Sequence, residues 1–273
     1  MKHLIVTADD FGLDAAVNEA VEVAHRSGIL TATSLMVAAP AAADAVARAR
    51  RLPTLAVGLH LALVDAESTL SAANLPDLVT PDGRFSDRQA LAGFSYFFRP
   101  KVRRQLAAEI RAQFRAFAAT GLVLDHVDAH KHMHIHPTVG RMIIEIGVEF
   151  GLRALRWPVE PGGGIGDVLL TPWTGLLRRR ARRAGLLTPD RVYGIRGSGA
   201  MTEERVLAVL ADLPDGLSEL YGHPATATTP GLAATMPTYR HADELAALVS
   251  PVVREAVRAK GIRLTSYGKA LPC

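Results

Sequence analysis

The stretch Leu4-Ile5-Val6-Thr7-Ala8-Asp9-Asp10-Phe11-Gly12 joins a short apolar run to two adjacent acids. The apolar run predicts a buried strand, and α/β proteins place their chemistry at strand ends. Two neighbouring carboxylates would repel each other in one shared role. We therefore expect one to bind a divalent cation and the other to accept a proton from water, as in a metal hydrolase. The alternative is that Asp9 or Asp10 only caps a helix beginning near Asp14.

A second apolar run, Leu55 to Leu61, contains a histidine. Its continuous apolar character predicts a strand buried on both faces, and Gly58 permits close approach of the backbone. A lone His60 at such a place is more often a satisfied core residue than a ligand. Its interpretation therefore depends on partners elsewhere in the chain.

The segment 124–137 holds five of the ten histidines of the chain. Their even spacing predicts that they share one side of an extended chain with Asp128. Five imidazoles that protonate near neutrality are unfavourable as structure alone, whereas neutral imidazole is the commonest protein metal ligand. A site needs only about three protein ligands, so we expect two of the five to lie behind the site or on the surface. The five are His126, His130, His132, His134 and His136, of which His126 and His136 are the two set aside.

The segment Leu217 to Pro224 predicts a short strand that ends in a histidine. Proline disfavours helical backbone at the preceding residue, so His223 would project rigidly from the strand end. An imidazole that stands off the metal could protonate a leaving amine. A histidine hydrogen-bonded within a turn fits the local sequence equally well.

Taken together, these motifs resemble the YdjC-like carbohydrate deacetylases, a family that includes the chitooligosaccharide deacetylases. The resemblance spans nearly the whole chain, with one mild departure at Ala129, where many relatives have serine. Less specific features, at 103–114, 128–132 and 155–158, are similar to the hopanoid-biosynthesis-associated deacetylases within the family. The motifs that carry the family resemblance are Ala8-Asp9-Asp10-Phe11-Gly12, Gly58-Leu59-His60-Leu61, Asp128-Ala129-His130-Lys131-His132-Met133-His134 and Glu219-Leu220-Tyr221-Gly222-His223-Pro224.

The resemblance implies a distorted parallel β/α barrel that removes an acetyl group from an N-acetylated sugar. It also implies one divalent cation, which we expect to be zinc or magnesium. Carried over to this chain, the ligands are Asp10, His60 and His130, the base is Asp9 and the acid is His223. We expect three further residues to contact substrate or support the ligands: His132, His134, which is also the reserve acid, and Arg156, which either orients Asp9 or binds substrate.

The alternation of apolar strand-like runs with helical patterns indicates βα units around a parallel sheet. Seven or eight strands fit one TIM-barrel-like domain over residues 1–273, with the proposed ligands at the C-terminal strand ends. The predicted strands are Leu4 to Ala8, Ala32 to Val37, Leu55 to Leu61, His126 to His130, Ala154 to Trp157, Ser218 to Tyr221 and Arg263 to Ser266. The predicted helices are Ala15 to Ser27, Ala41 to Arg51, Lys101 to Thr120, Pro137 to Phe150, Glu203 to Leu210 and Asp243 to Lys260, with loop-like insertions at 65–89 and 160–167.

The composition agrees with a cytoplasmic enzyme. The chain has 273 residues, of which 49% are hydrophobic, enough for one large core. Its only cysteine is Cys273, so no intramolecular disulfide is expected, and a reducing compartment is natural. Because the first predicted strand begins close to Met1, we expect no signal peptide.

The charge distribution raises the question of a membrane partner. The net charge is only +4, yet five arginines lie between apolar pairs from Arg178 to Arg183. Such a segment is typical of contact with anionic headgroups, and a solvated basic helix is the alternative. Nucleic acid is disfavoured because no binding module is recognisable and aromatic residues make up 5% of the chain.

A lipid-linked sugar reconciles this basic segment with the expected fold. The favoured substrate is N-acetylglucosaminyl bacteriohopanetetrol, deacetylated by a cytoplasmic protein in peripheral contact with the inner membrane face. The alternatives are a chitooligosaccharide deacetylase, another metal hydrolase such as a phosphoesterase, and a non-catalytic accessory protein that binds sugar or lipid. An oligomer is compatible with all of these hypotheses.

Overall fold

The structure is a computed structural model that describes residues 1–162 and 165–271. Gly163 and Gly164 of the loop predicted at 160–167, and the single Cys273, lie outside the described residues. Within the described ranges seven strands form one sheet: β1 (Lys2–Phe11), β2 (Ala32–Leu35), β3 (Ala56–Leu61), β4 (Leu124–Ala129), β5 (Arg191–Tyr193), β6 (Gly216–Gly222) and β7 (Arg263–Thr265).

Helices connect these strands on the outside of the sheet. In the same part of the chain they are α1 (Ala15–Ser27), α2 (Ala42–Arg50), α3 (Gln89–Phe98), α4 (Pro100–Ala119), α5 (Pro137–Glu149), α6 (Ile165–Arg183), α7 (Glu203–Ala211), α8 (Pro230–Thr235), α9 (His241–Val249), α10 (Pro251–Ala259) and α11 (Tyr267–Ala270). No helix in these ranges combines the length and the apolar character that crossing a bilayer requires.

The first strand is the centre of the sheet, as its apolar run predicts. The order is β4-β3-β2-β1-β6-β5, β7 pairs with the start of β1, and every strand pairing is parallel. One face of β1 packs against helices and the other lies in the barrel interior. Leu4, Ile5 and Val6 are therefore fully buried. A central parallel strand therefore carries its C-terminal acids into the middle of the molecule.

The sheet curls into a distorted β/α barrel, which confirms the predicted fold class. The strand predicted at Ala154 to Trp157 is present only as isolated bridges between β4 and the segment before β5. There the Val127 amide donates to Ala154 (3.1 Å) and the Leu155 amide donates to Leu187 (2.9 Å). These few hydrogen bonds link β4 towards β5 and bring the residue after Leu155 into the barrel interior.

Asp14, and neither of the two preceding acids, caps α1. Its carboxylate accepts a hydrogen bond of 2.8 Å from the Ala16 amide. The alternative in which Asp9 or Asp10 is only a helix cap is therefore wrong, and neither carboxylate is used to cap α1.

Several helical regions differ from the prediction. The periodic stretch Asp243 to Lys260 forms two helices because Pro251 cannot donate an amide hydrogen and Ser250 starts a new helix by accepting from the first amides of α10. Helix α3 was not predicted, because its run of aromatic and small residues lacks a clear polar face. Helix α6 begins at Ile165, inside the predicted loop.

Candidate functional site

A cavity of about 250 Å³ opens at the C-terminal ends of β1, β3, β4 and β6. This is the end of a β/α barrel where active sites are built. Its walls contain most of the residues that the sequence singled out. The residues that line the cavity include Asp9, Asp10, His60, His130, His132, Tyr221, His223 and Tyr239.

The end of β1 presents two adjacent side chains to one cavity. Successive residues of a strand normally point to opposite faces. Here the register of β1 against β2 shifts between Ala8 and Phe11, and Asp10 adopts a left-handed φ of 63°. Aspartate tolerates this conformation better than most residues, although it still costs on the order of 1 kcal/mol. The distortion explains how both Asp9 and Asp10 line the cavity.

Asp10, His60 and His130 converge from three distant segments. Asp10 Oδ1 lies 3.3 Å from His60 Nε2 and 3.1 Å from His130 Nδ1. One candidate ligand atom from each residue lies within 4.8 Å of the other two. Asp10 Oδ2 is buried and has no hydrogen-bond partner among the described residues. One carboxylate with an unpartnered oxygen, together with two imidazoles, could hold a divalent metal ion.

The charges in this cluster favour a bound cation. Burial alone would raise the pKa of Asp10, but His130 and His60 outweigh it and hold the pKa well below its usual value. Burial alone would lower the pKa of His60, but the charge of Asp128 and hydrogen bonds to Asp10 and Asp128 keep it well above its usual value. The cavity floor is therefore an environment that stabilises positive charge.

Asp128 fixes the orientation of His60. His60 Nδ1 lies 2.8 Å from Asp128 Oδ1, so the opposite ring nitrogen faces Asp10. Ser34 also contacts this pair, because its hydroxyl donates to Asp128 Oδ2 (3.1 Å) and lies 3.1 Å from His60 Nδ1. A carboxylate behind a ligating imidazole is the usual arrangement at metal sites, where it sets the tautomer and the ring orientation.

Arg156 is fully buried and joins three carboxylates. Its Nη1 and Nη2 donate to the two oxygens of Asp9 at 2.6 and 2.8 Å. The same group contacts Asp128 at 2.7 Å and Glu219 at 2.8 Å. Burial lowers the pKa of Arg156, but the surrounding carboxylates raise it well above its usual value. Of the two roles expected for Arg156, its burial and its contacts with Asp9 favour orienting Asp9.

A second set of residues, Asp9, His60 and Asp128, also lies close enough to hold a metal ion. The Arg156 guanidinium bridges Asp9 and Asp128 and already supplies positive charge at this place. A second cation here would lie against that guanidinium, so the geometry favours a single cation at Asp10.

His223 lies across the cavity, at the end of β6. Its amide donates to Glu244, and His241 Nδ1 lies 2.6 Å from its carbonyl oxygen. The imidazole stands between the rings of Tyr221 and Tyr239, with centroid distances of 5.6 and 5.0 Å. His223 Nδ1 has no hydrogen-bond partner among the described residues. The backbone is thus held on both sides while the ring faces the cavity.

The histidine-rich segment does not continue as an extended chain, which corrects the prediction. Strand β4 ends at Ala129, and a 3₁₀ turn follows in which Lys131 and His132 have φ values of 50° and 54°. His132 Nε2 lies 2.9 Å from the Tyr221 hydroxyl, and burial together with the charge of Arg156 lowers the pKa of His132 to about 4. The alternation of strand residues therefore ends before this ring.

His134 is fully buried outside the cavity wall. Burial and the neighbouring His132 lower its pKa far below the usual value. This environment makes His134 a poor choice as the reserve acid. Of the two histidines set aside, His126 is buried against the ring of Tyr267 (4.5 Å between centroids), and His136 is half-buried against Phe97 (6.1 Å).

Sequence reasoning missed the role of several residues around the site. A signal existed for Asp128, which shares the even spacing of the histidines, and for Glu219, a carboxylate within an apolar strand. Ser34 and Glu244 have no comparable signal, because their contacts join residues far apart in the chain.

The sequence and the fold of this chain are similar to those of known proteins. Residues 3–259 match a family described as YdjC-like protein. A carbohydrate deacetylase from Mus musculus is 32% identical over an alignment of 294 positions, gaps included, which covers 96% of this chain and 93% of that protein. A carbohydrate deacetylase from Geobacillus stearothermophilus is 28% identical, with 97% of each chain covered. The crystal structure of a putative cellobiose-phosphate cleavage protein from Enterococcus faecalis V583 superposes with a TM-score of 0.79 at 27% identity, covering 97% of each chain.

Proposed function

Because the chain belongs to the YdjC-like protein family, we propose that it is a carbohydrate deacetylase that removes the acetyl group from an N-acetylated amino sugar. The observation that carries this proposal is the convergence of Asp10, His60 and His130 beside an arginine-held Asp9 in one cavity. The domain that performs the reaction is the single unit 1–273.

The proposed chemistry is hydrolysis of the acetamide C–N bond. Asp10, His60 and His130 would hold one divalent cation, zinc or magnesium, whose contribution is to acidify water and polarise a carbonyl oxygen. Asp9 accepts a proton from the water that adds to the carbonyl carbon, and Arg156 keeps Asp9 oriented for that transfer.

His223 lies where a proton donor is needed in the second half of the reaction. As the C–N bond breaks, the nitrogen leaves as an amine once it receives a proton, and acetate remains. The ring of His223 lines the cavity, and its backbone is held by Glu244. His132 would act with Tyr221 as a neutral wall of the same cavity.

The other enzyme class that we considered is a phosphoesterase. Such an enzyme usually assembles two metal ions or several cationic groups at the phosphate. The second carboxylate cluster here is bridged by Arg156, which is fully buried and cannot reach a phosphate. A non-catalytic accessory protein would have no use for both a held carboxylate and an opposing imidazole. Both observations favour the deacetylase.

For the substrate, we propose N-acetylglucosaminyl bacteriohopanetetrol, and a chitooligosaccharide is the alternative. The proposal rests on the similarity of 103–114, 128–132 and 155–158 to the hopanoid-associated members of the family. The protein would act in the cytoplasm, at the inner face of the membrane.

Contact with that membrane would use fewer arginines than the sequence indicated. Arg178 pairs with Asp190 at 3.0 Å, and Arg180 donates to the carbonyl of Pro137, so these two side chains have partners within the chain. The exposed members of the segment are Arg179, Arg182 and Arg183. Near an anionic surface each would contribute roughly 1 kcal/mol.

Mass spectrometry of the reaction products tests the activity and the substrate together. The purified protein is incubated with the N-acetylglucosaminyl lipid, with chitooligosaccharides and with a phosphorylated sugar. We expect loss of one acetyl group from the lipid-linked sugar. Acetyl loss only from chitooligosaccharides would favour the alternative substrate, and phosphate release without acetyl loss would refute the deacetylase.

The division of labour between the two acids is tested by isosteric substitution. We expect Asp9→Asn to retain the metal but to lose turnover by about a hundredfold to ten-thousandfold, because it removes the general base. Asp10→Asn and His60→Ala should lose both metal and turnover, because each removes a ligand. Metal content and acetate release are measured on each variant, with His25→Ala as the control away from the cavity. Equal metal loss in Asp9→Asn and Asp10→Asn would show the assignment to be wrong.

A further inference from the structure

An apolar groove of about 1030 Å³ adjoins the catalytic cavity. Lys131, His132 and Ile195 lie in the walls of both. The cavity itself, at about 250 Å³, is below the size range of small-molecule sites and has room for only part of a ligand. A substrate whose acetylated end enters the cavity would therefore extend directly into the groove.

Aromatic rings form much of the groove wall. Phe94, Phe97 and Phe98 project from α3 with exposed fractions of 62%, 44% and 60%. Trp157 and Trp173 lie in the same wall. A cluster of large, solvent-exposed aromatic side chains on a protein surface marks a binding site for an apolar group.

Several polar groups of the wall are paired within the protein. The Trp157 indole donates to the carbonyl of Thr174 (2.9 Å), and the Gln89 amide donates to the carbonyl of Lys131 (2.7 Å). Glu160 accepts from the backbone amide of Arg196 at 2.8 Å. Recognition of further sugar units requires hydroxyl partners, whereas these pairings leave mainly ring faces and edges for a ligand. The wall thus fits an apolar occupant better than a second sugar.

One ring of the groove wall, that of Trp157, is held in place by the protein. The guanidinium of Arg178 lies 4.0 Å from the centroid of the Trp157 ring and pairs with Asp190. One face of the tryptophan is therefore held by a cation while the ring lines the groove. A rigid aromatic wall lowers the entropic cost of binding.

We propose that this groove binds an apolar aglycone that is covalently joined to the acetylated sugar, while the acetamido sugar ring occupies the catalytic cavity. The proposal rests on the proposed deacetylase activity and adds the place where the non-sugar part of the substrate is recognised. Binding energy from the groove would then be available to hold the sugar over Asp10.

The two tryptophans of the chain, Trp157 and Trp173, both line the groove and make it spectroscopically visible. Octyl N-acetyl-β-glucosaminide, below its micelle concentration, serves as the apolar probe, and diacetylchitobiose serves as the sugar-only probe. We expect saturable change in tryptophan emission with the octyl glycoside and none with the disaccharide. Equal responses to both, or none to the octyl glycoside, would overturn the proposal.

Substitutions on α3 test the same point through kinetics. The double variant Phe94→Ala, Phe97→Ala should lower the ratio of kcat/KM for the octyl glycoside to that for the disaccharide by about tenfold, mainly through KM. Leu91→Ala is the matched control, because Leu91 is an exposed apolar residue of the same helix outside the groove. An unchanged ratio in the double variant contradicts the groove assignment.

Two further outcomes distinguish this proposal from the proposed activity and from membrane binding. If the wild-type protein deacetylates neither probe yet its tryptophans respond to the octyl glycoside, the proposed activity fails and the groove stands. If sugar-free phosphatidylcholine vesicles change the emission as strongly as the octyl glycoside does, the aromatic wall is a membrane surface and the aglycone site is refuted.

Discussion

At the scale of single residues, Arg156 organises the site without touching its cavity. One planar guanidinium holds both oxygens of Asp9 and reaches Asp128 and Glu219 as well. Glu219 in turn accepts from Thr7 (2.7 Å) and from Tyr267 (2.5 Å). The carboxylate of Asp9, fixed by Arg156 in this way, can present only one orientation to the cavity. A general base needs such a fixed orientation.

Replacement of Arg156 by lysine tests this positioning role. Lysine keeps the charge but offers one compact donor group in place of a planar fork, so it cannot hold both oxygens of Asp9 and also reach Glu219. We expect Arg156→Lys to lower kcat by about a hundredfold while metal content is retained, as for loss of general-base function. Acetate release and metal analysis measure both quantities.

A surface arginine provides the matched control. Arg48 also bridges two carboxylates, Glu22 and Asp44, each at 2.8 Å, but far from the cavity. Arg48→Lys should leave kcat within about twofold of the wild-type value. If Arg156→Lys behaves like Arg48→Lys, the positioning role is excluded.

At the scale of elements, the short helix α11 closes the barrel against β4. Asp125 accepts from the amide of Gly268 (2.7 Å) and contacts His126 Nδ1 at 3.0 Å. His126 stacks on Tyr267 and packs so closely on Gly58 that a Cβ there would lie 2.5 Å from the imidazole. Gly58, two residues before His60, is therefore required because His126 on the neighbouring strand leaves no room for a Cβ atom.

The Asp125–His126 pair predicts a pH-dependent contribution to stability. Burial lowers the pKa of His126, but Asp125 outweighs it and raises the pKa above the usual value. Burial raises the pKa of Asp125, but His126 outweighs it and lowers the pKa. The histidine contribution is complete below about pH 6.5 and is lost as pH rises through the higher folded value. The aspartate contribution is present above about pH 3.9 and is lost as pH falls through the lower folded value.

Asp125→Asn should therefore be most destabilising in weakly acidic solution. We expect the free energy of unfolding to fall by about 2 kcal/mol at pH 6 and by less at pH 9, because a smaller fraction of His126 is charged at the higher pH. Urea denaturation at the two pH values measures the loss. Asp215→Asn, at an exposed pair with the N-terminus, is the control and should change stability by less than about 0.5 kcal/mol. An equal loss for Asp125→Asn at both pH values would contradict the assigned ion pair.

At the scale of the whole molecule, the site draws its residues from segments that lie far apart in the chain. Asp10 and His130 are 120 residues apart, and Asp9 and Arg156 are 147 apart. Closure of the barrel also depends on the bridges at Ala154 and Leu155. Loss of any of these segments would remove residues from the site and from the core together.

This arrangement predicts that residues 1–273 unfold as one cooperative unit. Thermal unfolding followed by far-ultraviolet circular dichroism and by the emission of Trp157 and Trp173 should give midpoints that agree within about 2 °C. The metal-free and metal-loaded proteins are compared, since binding to the native state raises the midpoint without splitting the transition. Two separate transitions would show that the chain contains more than one domain.

Much of this architecture can be predicted from local sequence, because it depends on local patterns. The run Leu4 to Val6 predicts a buried strand, and its C-terminal acids are found at the barrel mouth. The motifs around His60, His130 and His223 carry the family resemblance, and the family match over residues 3–259 confirms it. Strand periodicity extends only to Ala129, so it misplaces His132 and His134 in the 3₁₀ turn that follows.

Tertiary structure alone decided which side chains act together. The Arg156–Asp9 and Asp128–His60 pairs join segments that pattern analysis treats separately, and hydrogen bonds across such separations leave no periodic signal in the sequence. Helix α3 likewise has no clear polar face, because its aromatic residues face a groove instead of the core. Local sequence determined the strands and the donor groups, since hydrophobic periodicity is a property of neighbouring residues. Closure of the barrel determined the site, since only in the folded barrel do side chains from distant segments come within bonding distance of one another.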